Sequence, residues 1–354
     1  MPRHFRSAIV RRAAAILLTT VPTVVVSFVA LSAQEPRPLP PSWAYGLPPV
    51  PPGEYPPQAP PILPPTEFVP PPRPATSPDQ LRQAEGSTLR FTTQQVGYRH
   101  GPADWFPDDH PVMPEIVAHG KNPEVRACAM CHLPNGRGRP ENAPVQGLSF
   151  EYIVQQLRDF RGGLRVSAEP RKDNTSEMEQ IAKALTEEEI EAAARYFSSM
   201  PWTQYIRVVE TDTIPKMQLR GHIFWRAEGN DTEPLGMRIV ETPEDTAQAQ
   251  LRNPHSGWIA YVPPGSVTRG EALATTGGNG RTIACATCHG VGLKGVGPIP
   301  NLAGRSPSYL ARQMFDFKFG TRHGTMASLM TPVVANLSDN DVVDLIAYVS
   351  SLEP

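Results

Sequence analysis

The stretches Cys128-Ala129-Met130-Cys131-His132 and Cys285-Ala286-Thr287-Cys288-His289 decide how the rest of this 354-residue chain is read. Each spells C-x-x-C-H, the attachment signature of a c-type haem. Two thiols spaced by two residues can each add to one vinyl group of the same porphyrin as thioethers. The histidine that follows is then held beneath the iron as an axial ligand. The chain has four cysteines, and all four lie in these motifs. Zinc ligation by paired C-x-x-C units needs them about 15–20 residues apart, whereas these histidines are 157 positions apart. A thioredoxin-like pair would explain one motif, but not two copies each followed by histidine. The motifs therefore imply two covalently bound haem c groups, one on Cys128 and Cys131, the other on Cys285 and Cys288. His132 and His289 supply one axial ligand each.

Working outward, a shift of 157 lays the two halves of the chain on each other. Tyr152 falls on Tyr309, Gln156 on Gln313, Asp159 on Asp316, Phe160 on Phe317 and Arg165 on Arg322. Both segments around these residues carry apolar positions at helical spacing. The first copy then has five extra residues, and a shift of 152 takes over, placing Met178 on Met330, Leu185 on Leu337 and Tyr196 on Tyr348. Thr186-x-x-Glu189 and Ser338-x-x-Asp341 read as capping boxes that open a closing helix in each copy. The repeat predicts two all-helical units of roughly 85–120 residues, each with a helix before the haem motif, one after it and one at its end.

The repeat also selects distal ligands. A methionine lies seven residues before the recurring leucine in both copies, which points to Met178 and Met330. In the second copy Met326 competes, and on a helix it would lie one turn from Met330 on the same side. A thioether is a soft, neutral ligand that raises the reduction potential of haem iron. A haem closed by histidine and methionine has no position left for substrate. Arg165 and Arg322, at one repeat position, are candidates for contact with haem propionates, since a guanidinium fork suits a carboxylate.

These residues resemble a known family. C-x-x-C-H, followed by Tyr-x-x-x-Gln-x-x-Asp-Phe, Gly-x-Arg, a methionine, and Leu-Ser/Thr with an acidic helix start, looks like a bacterial dihaem class-I cytochrome c of the c-four type. The likeness covers about residues 113–200 and 266–352. It implies a mainly α fold of two class-I cytochrome c domains in tandem, carrying electrons between a respiratory donor and an oxidase or other acceptor. Carried over, its ligand sets are Cys128, Cys131, His132 and Met178, then Cys285, Cys288, His289 and Met330. The chain departs from the pattern in a proline-rich leader, an upstream arm and a long inter-domain insertion, which puts the family's close haem-to-haem packing in question.

The flanking segments complete the expected organisation. Residues 1–33 carry Arg3, Arg6, Arg11 and Arg12, then an uncharged run from Ala13, and read as an export signal or an N-terminal membrane anchor. Without those four arginines the formal charge of −2 becomes −6, which argues against nucleic acid as a partner. Residues 34–78 are about four-tenths proline and read as a disordered, polyproline spacer. The first cytochrome domain with its arm spans 79–201, the insertion 202–265 and the second domain 266–354. In the insertion, 205–209, 222–225, 237–240 and 258–262 read as short strands, a partly β cover between the haem domains. His110 in the arm is a minor alternative haem ligand; His222 and His255 read as surface residues. The protein is expected in the periplasm, soluble or tethered to the inner membrane. Its expected partners are a dehydrogenase or quinol-oxidising donor and an oxidase acceptor. Alternatives are the cytochrome subunit of a larger dehydrogenase, a dihaem peroxidase, which the paired methionines oppose, and a thiosulfate-oxidising dihaem enzyme, whose distal cysteine this chain has none to supply.

Overall fold

The computed structural model describes Met1, residues 39–51, Glu54 and residues 79–354. Nearly all of the leader at 1–33 and most of the proline-rich run lie outside the described residues. The rest, from residue 39 onward, belongs to one compact unit.

The first haem motif forms the short helix α1 (Cys128–His132). Three longer helices follow: α2 (Phe150–Arg161), α3 (Asp173–Ala184) and α4 (Glu187–Ser198). Ser149 opens α2 by accepting a hydrogen bond from the Tyr152 amide. Thr186 opens α4 in a capping box closed by Glu189. On α4 the buried residues Ile190, Ala193, Ala194 and Phe197 follow the i, i+3, i+4, i+7 pattern of one apolar stripe. That stripe meets Ile153 and Val154 of α2 in the first core. The helix expected before the motif is only one turn long, Glu115–Ala118.

The second copy repeats the plan. Helix α5 (Ser266–Thr276) precedes the motif helix α6 (Ala286–His289); α7 (Pro307–Lys318) and α8 (Asp339–Ser351) follow. Ser306 caps α7 through the Tyr309 amide, as Ser149 caps α2, and Ser338 with Asp341 boxes the start of α8. Helices α5 and α8 cross at Gly270, where a Cβ would overlap the Asp344 carbonyl oxygen. Only glycine lets the backbones approach that closely.

The repeat meets itself. Arg165 and Arg322 form an antiparallel bridge. Val166 donates to the Thr321 carbonyl at 3.0 Å and His323 to the Leu164 carbonyl at 2.9 Å. The side chains follow the same exchange: Arg165 donates to Gln156, Gln313 and Tyr309, and Arg322 to Gln313, Gln156 and Tyr152. Arg165 lies over the Phe160 ring at 4.5 Å and Arg322 over Phe317 at 4.4 Å. Residue i of one copy thus meets residue j of the other and j meets i, the pattern of an isologous contact, here within one chain.

The insertion forms a three-stranded sheet in which Ile206–Glu210 pairs parallel with Trp258–Val262, and Trp258–Val262 antiparallel with Val240–Pro243. A hairpin, Met217–Arg220 with Ile223–Arg226, and the antiparallel pair Thr213–Pro215 with Thr232–Pro234 that brackets it in the chain stand beside it. The expected strand at 237–240 begins three residues later, at Val240. Ile206, Trp258, Ala260 and Val262 share one core with Leu273, Phe315 and Val343 of the second domain. Tyr205 reaches the first domain, its phenol donating to the Arg137 carbonyl, and the Arg137 guanidinium reaches back to Thr203 and the Pro254 carbonyl of the insertion.

Two segments differ from a reading as solvated spacer or simple strap. Within the proline-rich run, Ser42–Tyr45 forms a 3-10 turn with Ala44 and Tyr45 fully buried. The Tyr45 hydroxyl donates to Asp316 at 2.8 Å, and Trp43 meets Phe315 edge to face. The aromatic side chains give this stretch a surface to bury that proline alone does not provide. The arm packs Ala84, Val96 and Trp105 against Leu251 of the insertion, and the Trp105 indole donates to the Leu251 carbonyl. It therefore straps the insertion as much as the first domain.

Candidate functional site

In both copies the chain leaves the motif histidine through a positive-φ residue, Leu133 at 63° and Gly290 at 76°. Glycine takes that conformation freely and leucine under strain. Five residues further the turn is tied back, as Gly138 and Gly295 donate to the carbonyls of His132 and His289, each at 2.8 Å. The imidazoles are held alike. Nδ1 of His132 lies 2.8 Å from the Ala143 carbonyl and Nδ1 of His289 2.8 Å from the Pro300 carbonyl. A carbonyl can only accept, so Nδ1 carries the proton and Nε2 keeps its lone pair for a metal. Burial lowers both pKa values, against the opposing effect of those carbonyls.

Three of the four thiols are held from ionising by burial. Burial pushes Cys128 up to about 12, and Cys131 and Cys285 to about 11. Thiols so disfavoured as thiolates are poor nucleophiles for disulfide exchange.

Each motif opens on a cavity. The first is lined by Cys128, Cys131 and His132, by Met178 and Ile181 of α3, and by Leu157 and Phe160 of α2. The second is lined by Cys285, Cys288 and His289, by Leu310, Met314 and Phe317 of α7, and by both Met326 and Met330. Leu185 and Leu337 are buried at the repeat positions that define the methionine spacing. Met326 and Met330 do not share one helix: they flank the 3-10 turn Ala327–Leu329, and the helix Thr331–Val334 starts after Met330. The proline at 332 suits the first turn of that helix and not the interior of a longer one. Met326 is 41% exposed.

Leu148, Tyr152, Gln156, Tyr309 and Gln313 line both cavities, so the two sites stand side by side across a shared wall. Arg165 lines the first and Arg322 the second, and both donate hydrogen bonds to the interface glutamines and tyrosines. His110 does not line the first cavity; it pairs with Asp104 at 3.2 Å. His222 is bonded to Asp173 at 2.9 Å and is mostly covered, and His255 stacks on Phe106.

The cavities hold charged residues that sequence reasoning passed over. Arg312 and Lys172 line the first, buried to 6% and 2% exposure. Arg305, 1% exposed, lines the second; it donates to the Pro144 and Gln146 carbonyls of the first domain and stacks on Trp202. Nothing in the repeat marks them, because none has a charged counterpart in the other copy. Apolar cavities bearing a C-x-x-C-H edge, with buried cations among their lining residues, fit a porphyrin whose charged portions are two carboxylates.

Two cavities of this kind in tandem helical units define a dihaem c-type cytochrome. The cytochrome c family model matches residues 117–201 and again 267–353. Cytochrome c-554(548) of Halomonas halodenitrificans is 42% identical over 85 residues, 24% of this chain and 99% of that protein. The thiosulfate dehydrogenase electron acceptor of Stutzerimonas stutzeri is 26% identical over 236 residues, 66% of this chain and 82% of that one. Cytochrome c4 of Pseudomonas aeruginosa is 23% identical over 235 residues, 65% of this chain and 85% of the other. The chain belongs to the cytochrome c family, as a dihaem electron-transfer cytochrome of the c4 type with two covalently attached haem c groups.

Proposed function

We propose that this chain is a non-enzymatic carrier that relays single electrons outside the cytoplasm. Cys128, Cys131, Cys285 and Cys288 attach the two haems, and His132 with Met178 and His289 with Met330 ligate the irons. Arg165 and Arg322 reach towards the propionates while they join the domains. The observation that carries this reading is the pairing of two equivalent cavities, each with a buried histidine and a methionine on its lining, across a common wall. When bound, each haem supplies an iron that alternates between ferrous and ferric. The protein's own part is to close both axial positions, exclude water and hold the two centres side by side.

A closed coordination sphere favours a carrier over a peroxidase, which needs an open sixth position. Two relatives, from Stutzerimonas stutzeri and Thiomonas intermedia, are named electron acceptors of thiosulfate dehydrogenase. A periplasmic dehydrogenase of that type is accordingly the donor we favour, with a terminal oxidase or another cytochrome downstream. No helix among the described residues is long and apolar enough to cross a membrane.

The test is a redox titration of the exported, haem-loaded protein followed in the visible and near-infrared. Two low-spin haems with a sulfur-to-iron charge-transfer band and no turnover with peroxide support the carrier. A high-spin haem, or peroxidase or thiosulfate-oxidising turnover by the chain alone, would overturn it. Rapid reduction by a thiosulfate dehydrogenase in stopped flow would identify the donor.

A further inference from the structure

Between the bridging arginine and the distal methionine the first copy runs from Arg165 to Met178, five residues longer than the stretch from Arg322 to Met330. The longer loop contains Lys172; the shorter has neither lysine nor arginine between its ends. Lys172 is 2% exposed, lines the first cavity, and its Nζ has no hydrogen-bond partner. Burial lowers its pKa well below the ordinary lysine value, so the side chain keeps an ammonium here only where an anion answers it.

The loop is fixed around it. The Ala168 amide donates to Asp316 at 2.8 Å, Arg171 to the Pro48 carbonyl at 2.9 Å, and His222 holds Asp173 from the insertion. Lys172 is therefore placed from three sides: the second domain, the docked proline-rich segment and a hairpin of the insertion. Asn174 also lines the cavity, with its side-chain oxygen unpaired and its amide donating to Asn142. Glu141, an acid on the same cavity, pairs with Arg139 at 3.5 Å and leaves its second oxygen without a partner. It is not hydrogen-bonded to Lys172.

We propose that Lys172 binds a propionate carboxylate of the first haem, and that this cation, absent from the distal loop of the second copy, holds the first haem at a higher potential than it would otherwise have. The carboxylate matches an ammonium in charge and hydrogen bonding, and Lys172 lines the cavity with the charged residues Arg312, Arg165 and Asp316. A positive group fixed beside the porphyrin favours the reduced, less positive iron, and the low dielectric of a buried site strengthens the effect. The inference rests on the first haem being attached at Cys128 and Cys131, which intact mass spectrometry checks separately on every variant.

The experiment is spectroelectrochemical titration of the full, haem-loaded protein carrying Lys172→Met. Cys131→Ala, which leaves one thioether and shifts that haem's visible band, assigns the potentials. The expected result is a fall in the first haem's potential that moves the electron-exchange equilibrium between the haems at least tenfold towards the second, about 59 mV for one electron. The near-infrared thioether band should persist at both haems, and Lys172→Arg should restore the potential. If Lys172→Met loads poorly, Lys172→Gln, which keeps the volume and a donor but not the charge, reads the same shift. Two unchanged potentials in a fully loaded variant overturn the proposal. So does loss of an axial signature at the first haem, which would make Lys172 an iron ligand.

Discussion

Replacing Arg322 with alanine probes whether the self-contact of the repeat is energetic or merely geometric. Its guanidinium gives three hydrogen bonds of 2.8 Å, to Gln313, Tyr152 and Gln156, and lies 4.4 Å from the Phe317 ring centre. A hydrogen bond from a charged donor contributes about 1.5–3 kcal/mol net, and a desolvated cation–π contact about 1–2 kcal/mol. The full sum will not be lost, because the two glutamines can turn towards each other and water can enter the gap. We expect a destabilisation of about 3–5 kcal/mol, the scale seen when one partner is removed from a buried polar pair. Arg165→Ala should cost nearly the same, since it makes the mirror-image contacts. The double variant should cost less than the sum, because both arginines share Gln156 and Gln313 as acceptors. Arg207→Ala is the control: its ion pair with Glu244 is exposed, and such pairs are worth about 0–1 kcal/mol. Urea denaturation followed by far-UV circular dichroism and by haem absorbance gives each value. A cost for Arg322→Ala no larger than that of the control, or additive costs in the double variant, would refute the reasoning.

Four further expectations follow from named contacts. Met330→Ala should remove the thioether signature of the second haem and lower its potential, whereas Met326→Ala should keep both; the opposite result in near-infrared spectra would reassign the ligand. Met326→Ala should also unfold at nearly the wild-type urea concentration, because the side chain is 41% exposed and leaves little cavity behind. Gly270→Ala should destabilise the second domain by about 1–3 kcal/mol or more through overpacking at the α5–α8 crossing, and a melting temperature within 1 °C of wild type (an estimate from about 4–8 °C per kcal/mol in small domains) would contradict it. In acid, burial pushes the Asp173 carboxyl up, but the His222 hydrogen bond and charge, with the Lys172 charge and the Asn174 amide, together outweigh it and leave its pKa below the ordinary 3.8. A depressed carboxylate contributes stability that is complete above its unfolded value and fades as pH falls through the folded one. Asp173→Asn should therefore flatten the stability profile below about pH 4, and an unchanged acid limb would count against that pairing.

The parts of this molecule that were legible in its sequence are those where one residue type has one use. C-x-x-C-H admits few readings, and the shift that aligns Tyr152, Gln156 and Arg165 with their counterparts made the second unit a check on the first. The capping boxes at Thr186 and Ser338 could be read because hydroxyl and carboxylate must sit three residues apart to answer each other's amides. The repeat even named the residues of the inter-domain contact, but not that they contact one another. Arg165 and Arg322 looked like partners for propionates because a guanidinium suits a carboxylate, while in the fold their donors also serve the glutamines and tyrosines of the opposite copy. Nothing in one strand of text distinguishes a residue facing its own cavity from one facing its twin's. The insertion gave a clear strand signal at Trp258–Val262, yet the parallel pairing with Ile206–Glu210 depends on a 52-residue excursion whose register no local pattern encodes. The proline run misled for a related reason. Composition averages over 45 residues, whereas docking is decided by Trp43 and Tyr45, for which Phe315 and Asp316 wait far along the chain. Lys172 is the sharpest instance. In sequence it is one charge among Glu169, Arg171 and Asp173 in the stretch that lengthens the first copy. Only its burial, and the absence of a protein partner for its ammonium, turns a surplus of five residues in one copy into a candidate difference between two otherwise equivalent haems.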